Sequence, residues 1–91
     1  MRVEWTEPAE RDLRRVHRFL AAKNPVAADK VVDALSAAPN RLQNQPRAGQ
    51  RVETITSREV RRIIVGQYEI RYDVAREIIR VLRIFHTRED R

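Results

Sequence analysis

The chain has 91 residues, a length that fits one domain with a single core, and we expect residues 1–91 to form that domain. It contains no cysteine, which excludes disulfides and cysteine-ligated zinc, and no apolar run approaches the roughly 18 residues of a membrane span, so we expect a cytoplasmic protein with no membrane partner. Nineteen basic residues, seventeen of them arginine, against thirteen acidic ones give a net charge of +6, which predicts an anionic partner: a nucleic acid, a nucleoprotein or an acidic protein.

The chain is predicted to begin with a short strand and a basic helix. Val3 and Trp5 alternate with charged residues, as in a strand. Thr6 stands at an N-cap position, and Pro8 lies in the first turn, where a helix tolerates proline. Apolar residues then recur at helical spacing, and arginines take the outer face. These arginines are Arg11, Arg14, Arg15 and Arg18.

A second helix is predicted to follow directly. Asn24 is a suitable cap and Pro25 a suitable first helical residue. Pro39 lies inside the apolar stripe and should kink or split this helix near residues 36–38. The break between the helices is short, so we expect an antiparallel hairpin followed by a loop over residues 43–49. The two helices should pack on the sheet through Leu13, Val16, Leu20, Val31, Val32 and Leu35.

The second half of the chain changes to the period of β-strands. Residues 60–65 are rich in β-branched side chains, and Gly66-Gln67 predicts a tight turn before an alternating strand over 68–74. Residues 78–85 are apolar on both faces, as in a central strand. We therefore predict an α+β fold of order β-α-α-β-β-β. In this fold the helical hairpin covers one face of a small, mainly antiparallel sheet, and the other face is open.

The arginines of the sheet are the candidate site. Three strands at about 4.8 Å spacing can bring their side chains into one patch. A guanidinium binds phosphate or carboxylate through a planar fork, so the patch suits either an RNA backbone or an acidic peptide. The alternative is a solvated face whose charge is balanced by Glu59, Glu69 and Asp73. The patch residues are Arg58, Arg61, Arg62, Arg71 and Arg83.

The sequence gives little support for a metal, cofactor or nucleophilic site. His17 and His86 lie in different elements with no carboxylate at metal-ligand spacing, so we expect no metal site. There is no glycine-rich phosphate loop and no serine in a nucleophile setting, and we expect no cofactor. His86 ends the last strand, where it is either a general acid–base or a residue that packs at the strand end and bonds to backbone.

Several short motifs, in this order, resemble the RelE/ParE superfamily of bacterial toxins. They are Trp5-Thr6-x-x-Ala9-x-x-Asp12-Leu13, Asn24-Pro25-x-Ala27-Ala28, Leu42-x-x-x-Pro46-x-x-Gly49, Tyr68-Glu69-Ile70-Arg71-Tyr72 and Ile84-Phe85-His86-Thr87-Arg88. The resemblance covers nearly the whole chain. It implies the toxin of a type II toxin–antitoxin pair, neutralised by an acidic, amphipathic segment of a cognate antitoxin. We expect that segment to lie across the helical hairpin, at the four arginines of the first helix, and over the basic sheet face.

The superfamily has two main activities, cleavage of messenger RNA on the ribosome by RelE-like members and inhibition of DNA gyrase by ParE-like members. The ribonuclease pattern expects an arginine after the tyrosine that begins the third strand, and a tyrosine beyond the last strand. Here Glu69 follows Tyr68, and no tyrosine follows His86, so the resemblance favours ParE-like action. The target-binding residues would be Arg58, Arg61, Arg62, Arg71, Arg83, His86 and Arg88.

Two alternatives stay open. In a ribosome-dependent endonuclease, Glu69 would be the base, Arg61 or Arg83 would hold the phosphate, and His86 would be the acid. The other alternative is a basic nucleic-acid-binding domain without toxicity.

Overall fold

Two α-helices pack on one face of a five-stranded mixed sheet in the computed structural model, which describes residues 1–89. The sheet order is β1-β5-β4-β3-β2; β1 runs parallel to β5, and the other pairs are antiparallel. The predicted α+β architecture is confirmed, with one strand more than expected, the two-residue β2. The elements are β1 Arg2–Trp5, α1 Glu7–Ala21, α2 Pro25–Ala37, a 3₁₀ helix Ala38–Gln43, β2 Gln50–Arg51, β3 Val60–Val65, β4 Tyr68–Ala75 and β5 Ile78–His86.

Both helices begin at the predicted caps. The Thr6 hydroxyl accepts the Ala9 N–H at 3.2 Å, and the Asn24 side chain accepts the Ala27 N–H at 3.1 Å. α2 ends at Ala37, and the chain continues as a 3₁₀ helix in which Pro39 is buried. Pro39 has no N–H for an i→i−4 bond, so the α-helix stops where the sequence predicted.

The core lies between the hairpin and the sheet. Val16 and Leu35 are buried against Ile70, Val81 and Ile84 of the central strands. Leu13, Leu20 and Val31 pack at the border of this cluster, while Val32 is half-buried beside Leu13 and His17. His17 joins the helices across the hairpin through a 2.9 Å contact with Asp29. The hairpin prediction is confirmed.

A β-bulge in β5 sets which of its residues face the helices. Arg71 pairs with Arg83 but the next residue, Tyr72, pairs with Val81, so Leu82 is an extra residue on β5. Val81 and Ile84 can therefore both point into the core although they are three positions apart. β5 has apolar residues at both odd and even positions for two reasons. It is an inner strand of the sheet, and the bulge changes which positions face the core.

The loop before β2 is closed by the hydroxyl of Tyr72. This hydroxyl accepts the Gly49 N–H at 3.0 Å and donates to the Pro46 carbonyl at 2.9 Å. A Cβ on Gly49 would lie 2.5 Å from the same oxygen and 2.7 Å from the Arg62 carbonyl. Pro46 and Gly49 thus lie where the loop comes close to β3 and β4, and position 49 has no room for a side chain.

Candidate anion-binding face

The face of the sheet opposite the helices carries three arginines in register. Arg62 of β3 pairs with Arg71 of β4, and Arg71 pairs with Arg83 of β5. Their neighbours Ile70, Tyr72 and Ile84 point into the core, so the three guanidiniums extend from the open side. We call Arg62, Arg71 and Arg83 the arginine row. The prediction that neighbouring strands bring arginines together is confirmed for these three residues.

Two buried carboxylates lie on the same face, and one of them, Glu69, contacts the arginine row. Glu69 contacts Arg71 at 2.8 Å and Arg62 at 3.9 Å, and its side chain is 2% exposed. Asp73, also 2% exposed, contacts Arg58 and Arg80 at 3.4 Å each. The predicted balancing acids are thus present on this face, except for Glu59, which lies elsewhere. Because Glu69 and Asp73 are buried, the surface that a partner meets is formed by the arginines.

Phe85 is covered by two arginines of the row. The guanidinium carbon of Arg71 lies 5.3 Å from the ring centroid and that of Arg83 lies 5.0 Å from it. Both are within the distance at which a cation is attracted by an aromatic face. The ring of Phe85 and the carboxylate of Glu69 hold the Arg71 guanidinium in place, although like charges opposite each other on neighbouring strands repel.

Asp12 of α1 anchors the end of the row, a role that the sequence alone did not predict. Its carboxylate accepts the Nε–H of Arg83 at 2.7 Å and the backbone N–H of Ile84 at 2.8 Å, and it contacts Arg15 at 3.3 Å. The hydrogen bond to Asp12 raises the pKa of the Arg83 guanidinium. The available signal was an acidic residue on the inward side of an amphipathic helix, between Ala9 and Val16.

The position of Asp12 follows from the length of β1. This strand ends at Trp5, which pairs with Val81, so within the described residues the later part of β5 has no neighbouring strand on that side. The Thr6 hydroxyl donates to the Leu82 carbonyl at 3.1 Å, and Asp12 accepts from Ile84. Side chains of the helix start therefore satisfy backbone groups of the open strand edge.

Arg61 does not belong to the predicted patch, and that part of the prediction is wrong. Arg61 pairs with Tyr72, so it lies on the helix side of the sheet. It donates to Glu59 at 2.7 Å and to the Gly49 carbonyl at 2.8 Å, and its side chain is 17% exposed. The hydrogen bond from Arg61, followed by that from Arg47, lowers the pKa of Glu59 against the opposing effect of burial. Arg61 holds the loop rather than facing a partner.

His86 also lies on the helix side, beside Tyr68. The two rings meet edge to face at 5.3 Å, and burial raises the pKa of the Tyr68 hydroxyl. Nδ1 of His86 accepts the Arg88 N–H at 3.1 Å, so the proton of the neutral ring lies on Nε2, 3.2 Å from the Gln67 side-chain oxygen. His86 is therefore a histidine that packs at the end of a strand and bonds to backbone, the second of its two predicted roles.

The four residues of the ribonuclease hypothesis do not meet on one face. Glu69 and Arg83 lie on the open side, whereas Arg61 and His86 lie on the helix side. Both ring nitrogens of His86 have hydrogen-bond partners, and the Glu69 carboxylate is buried under Arg62 and Arg71.

The outer face of α1 is basic, as predicted. Arg11 contacts Glu7 at 3.9 Å, and Arg15 joins Asp12 to Glu89. Two shallow apolar grooves beside this helix meet at Tyr68, one between α1 and the end of β5 and one between the hairpin and the β3–β4 turn. Phe19 is 62% exposed at the first of them. The four exposed arginines of the face are Arg11, Arg14, Arg15 and Arg18.

Within residues 1–89, no three His, Asp or Glu side chains are placed to hold a metal ion. Over the same range, no helix is long and apolar enough to cross a membrane.

Comparison with known proteins finds similarity to a family model, to a named relative and to solved structures. Residues 3–91 match the family model described as the ParE toxin of the type II toxin–antitoxin system parDE. A protein of Caulobacter vibrioides named Toxin RelE2 is 34% identical over 84 residues, which cover 92% of each chain. A solved structure described as a chromosomal ParDE TA system from P. aeruginosa has a TM-score of 0.77 at 22% identity, covering 94% of this chain and 95% of the other, and it shows the same fold.

Proposed function

Because this chain belongs to the ParE toxin family of type II toxin–antitoxin systems, we propose that it inhibits growth by binding DNA gyrase and without cutting nucleic acid. The family model that covers nearly the whole chain is that of ParE. In the superfamily that the sequence resembles, ParE-like members are the ones that act on gyrase. The family supports the assignment as a toxin, whereas gyrase as the target is our proposal.

The observation that carries the proposal is the separation of the four ribonuclease candidates. Cleavage of a phosphodiester needs a base, a group that stabilises the charged transition state and an acid, all around one phosphate. Here Glu69 and Arg83 lie on one face of the sheet, and Arg61 and His86 lie on the other. This arrangement favours binding over acid–base catalysis.

We assign gyrase binding to the C-terminal end of β5 and the turn that follows it. Arg88 is exposed there, and His86 is half-buried next to it. Arg83 connects this end of β5 to the open face of the sheet. The proposed surface continues there with Arg58, Arg62 and Arg71. Arg61 is left out of this surface because the loop around Gly49 holds its guanidinium.

A ribosome-dependent endonuclease is the second candidate. It is favoured by the name of the Caulobacter relative, Toxin RelE2, and by an arginine row that suits a phosphate backbone. Charge alone supports the third candidate, a basic nucleic-acid-binding domain without toxicity.

The toxins of type II systems pair with a cognate antitoxin, and we propose how it binds here. An acidic, amphipathic segment would lie along α1, with its apolar side in the two grooves at Tyr68 and its carboxylates on the four arginines of the helix. Charge attraction of this kind mainly speeds association, which should slow as ionic strength rises.

The two activities separate in cells that express the chain alone. Growth, gyrase supercoiling and message integrity are measured for the wild type and for His86→Gln, which keeps a polar side chain but cannot transfer a proton. We expect inhibited supercoiling, intact messages and toxicity that survives this substitution. Arg88→Glu should abolish toxicity, whereas Arg76→Glu, an equal charge change in the β4–β5 turn, should not. If messages are cut at codon boundaries and the His86→Gln variant is no longer toxic, the chain is a ribonuclease instead.

A further inference from the structure

The strand β1 lies at the edge of the sheet, and within residues 1–89 no strand lies on its outer side. The Arg2 N–H donates to the Glu77 carbonyl at 2.9 Å and the Thr6 N–H donates to the Val81 carbonyl at 3.0 Å, so the even-numbered residues of this segment bond to β5. Backbone groups of successive residues in a strand point to opposite sides, so those of the odd-numbered residues point away from the sheet. An outer row of N–H and C=O groups is a template for pairing with another strand. The residues that provide it are Met1, Val3 and Trp5.

We propose that β1 pairs antiparallel with β1 of a second copy of this chain, about a two-fold axis beside Val3. The two Val3 residues then exchange both of their N–H···O=C bonds. Because a two-fold interface uses the same residues from both copies, Arg2 lies opposite Glu4 of the other copy, and Glu4 lies opposite its Arg2. Opposite charges directly across a strand pair stabilise the pairing. The outer edge of β1 is therefore complementary to itself.

Charge selects this register over its neighbours. Only shifts by an even number of residues keep the outward backbone groups facing each other, because the pairing alternates with a period of two. A shift of two residues in one direction places Glu4 opposite Glu4, and the same shift in the other direction places Arg2 opposite Arg2. Like charges directly opposite each other are destabilising. The register centred on Val3 is thus the one that joins every charge of the strand to its opposite.

The side chains of the strand are accessible for this pairing. Those of Arg2 and Glu4 are 68% and 46% exposed and contact each other at 2.9 Å along the open face, so in the dimer each would gain a second partner across the strands. On the helix side, the exposed Met1 would lie opposite the half-buried Trp5 of the other copy. Apolar contact there would add to the charge pairing.

Gln43 marks the end of the pairing. Its side-chain amide donates to the Met1 carbonyl at 3.2 Å. A carbonyl oxygen has two lone pairs, so the Met1 carbonyl can also accept the Trp5 N–H of the other copy. The central exchange at Val3 does not involve Gln43.

The dimer should be weak and should have a defined shape. Four residues from each copy make a small interface, so we expect a dissociation constant on the order of 10 µM to 1 mM. A two-fold axis perpendicular to the sheet would join the two sheets into one, with both helical hairpins on one side and both open faces on the other. This inference goes beyond the proposed function, since neither Arg2 nor Glu4 is assigned to gyrase or to the antitoxin.

The test is sedimentation equilibrium of the purified full chain at concentrations up to about 1 mM. Arg2→Glu places glutamate opposite glutamate, and Glu4→Arg places arginine opposite arginine, so each should weaken dimerisation by at least about tenfold. The double variant Arg2→Glu with Glu4→Arg restores the opposite charges and should dimerise like the wild type. An equimolar mixture of the two single variants should form a mixed dimer. Urea denaturation of each variant confirms that it is folded.

The control for net charge is Lys30→Glu, at an exposed position of α2. It lowers the net charge of +6 by two, as Arg2→Glu does, and should leave dimerisation no weaker than in the wild type. Lower net charge reduces the repulsion between two positively charged copies. Weaker dimerisation of Arg2→Glu alone therefore identifies a local contact.

Hydrogen exchange tests the backbone pairing without any substitution. The amides of Val3 and Trp5 should become more protected as protein concentration rises, whereas that of Thr6, already bonded to Val81, should not change.

Three results would overturn the proposal. One is a wild-type chain that stays monomeric at about 1 mM, including one whose Val3 and Trp5 amides become protected only with its antitoxin. The second is a dimer that the charge variants leave unchanged. The third is a mixture of the single variants that stays monomeric although the double variant dimerises. None of these results bears on gyrase inhibition, which is measured separately.

Discussion

Replacing Asp12 with alanine should destabilise the domain by about 3–5 kcal/mol, the usual cost of removing one partner of a buried ion pair. The carboxylate is almost fully buried and has three partners, the Arg83 guanidinium, the Ile84 N–H and Arg15. Alanine leaves the Ile84 N–H without an acceptor at an edge that helix α1 covers. An unsatisfied buried donor alone costs about 1–3 kcal/mol.

Asparagine separates the two contributions. Asp12→Asn keeps an oxygen for the Ile84 N–H but removes the charge opposite Arg83, so we expect a smaller loss of about 1–3 kcal/mol. A domain of this length has a total stability of about 5–14 kcal/mol, so the alanine variant removes a large part of it. The asparagine variant should remain folded in the absence of denaturant.

Urea denaturation of the three proteins measures these differences, with Asp33→Ala as the control. Asp33 is an exposed residue of α2, and the same substitution there should change stability by less than about 0.5 kcal/mol. If Asp12→Ala cost no more than Asp33→Ala, the carboxylate would not be holding α1 to the edge of β5. An asparagine variant as unstable as the alanine variant would mean that charge, and not the backbone acceptor, accounts for the effect.

Three further substitutions test the core, the loop and the pH dependence. Leu35→Ala should cost about 2–5 kcal/mol in urea denaturation because the side chain is fully buried, and a loss below about 0.5 kcal/mol would place Leu35 outside the core. Gly49→Ala should cost about 1–3 kcal/mol, since its Cβ would overlap the Tyr72 hydroxyl; an unchanged midpoint would show that the loop adapts freely. The lowered pKa of Glu59 stabilises the fold above about pH 4.5, and this contribution is lost as pH falls through the folded-state value. The stability difference between wild type and Glu59→Gln should therefore shrink below pH 4.5, and a difference independent of pH would exclude the ion pair with Arg61 as its cause.

The helices and turns could be predicted because their causes are local. Thr6 and Asn24 cap helices through contacts three residues away, and Pro39 ends α2 by lacking its own N–H. Gly66 occupies a turn with φ of +60°, a conformation that glycine adopts without steric cost. The two-residue β2 was missed because its pairing with β3 depends on the loop that Tyr72 closes from another strand.

The arginines of the candidate face could be identified only from the register of the sheet. In β3 one parity holds Arg61, Ile63 and Val65, and the other holds Val60, Arg62 and Ile64, so each contains one arginine and two apolar residues. The strand by itself determined that one arginine would face each way. Pairing with β4 decided which one, because Arg61 lies opposite Tyr72 and Arg62 opposite Arg71. A shift of one residue would have exchanged them, and only packing of Ile63 and Tyr72 beneath the helical layer excludes that shift.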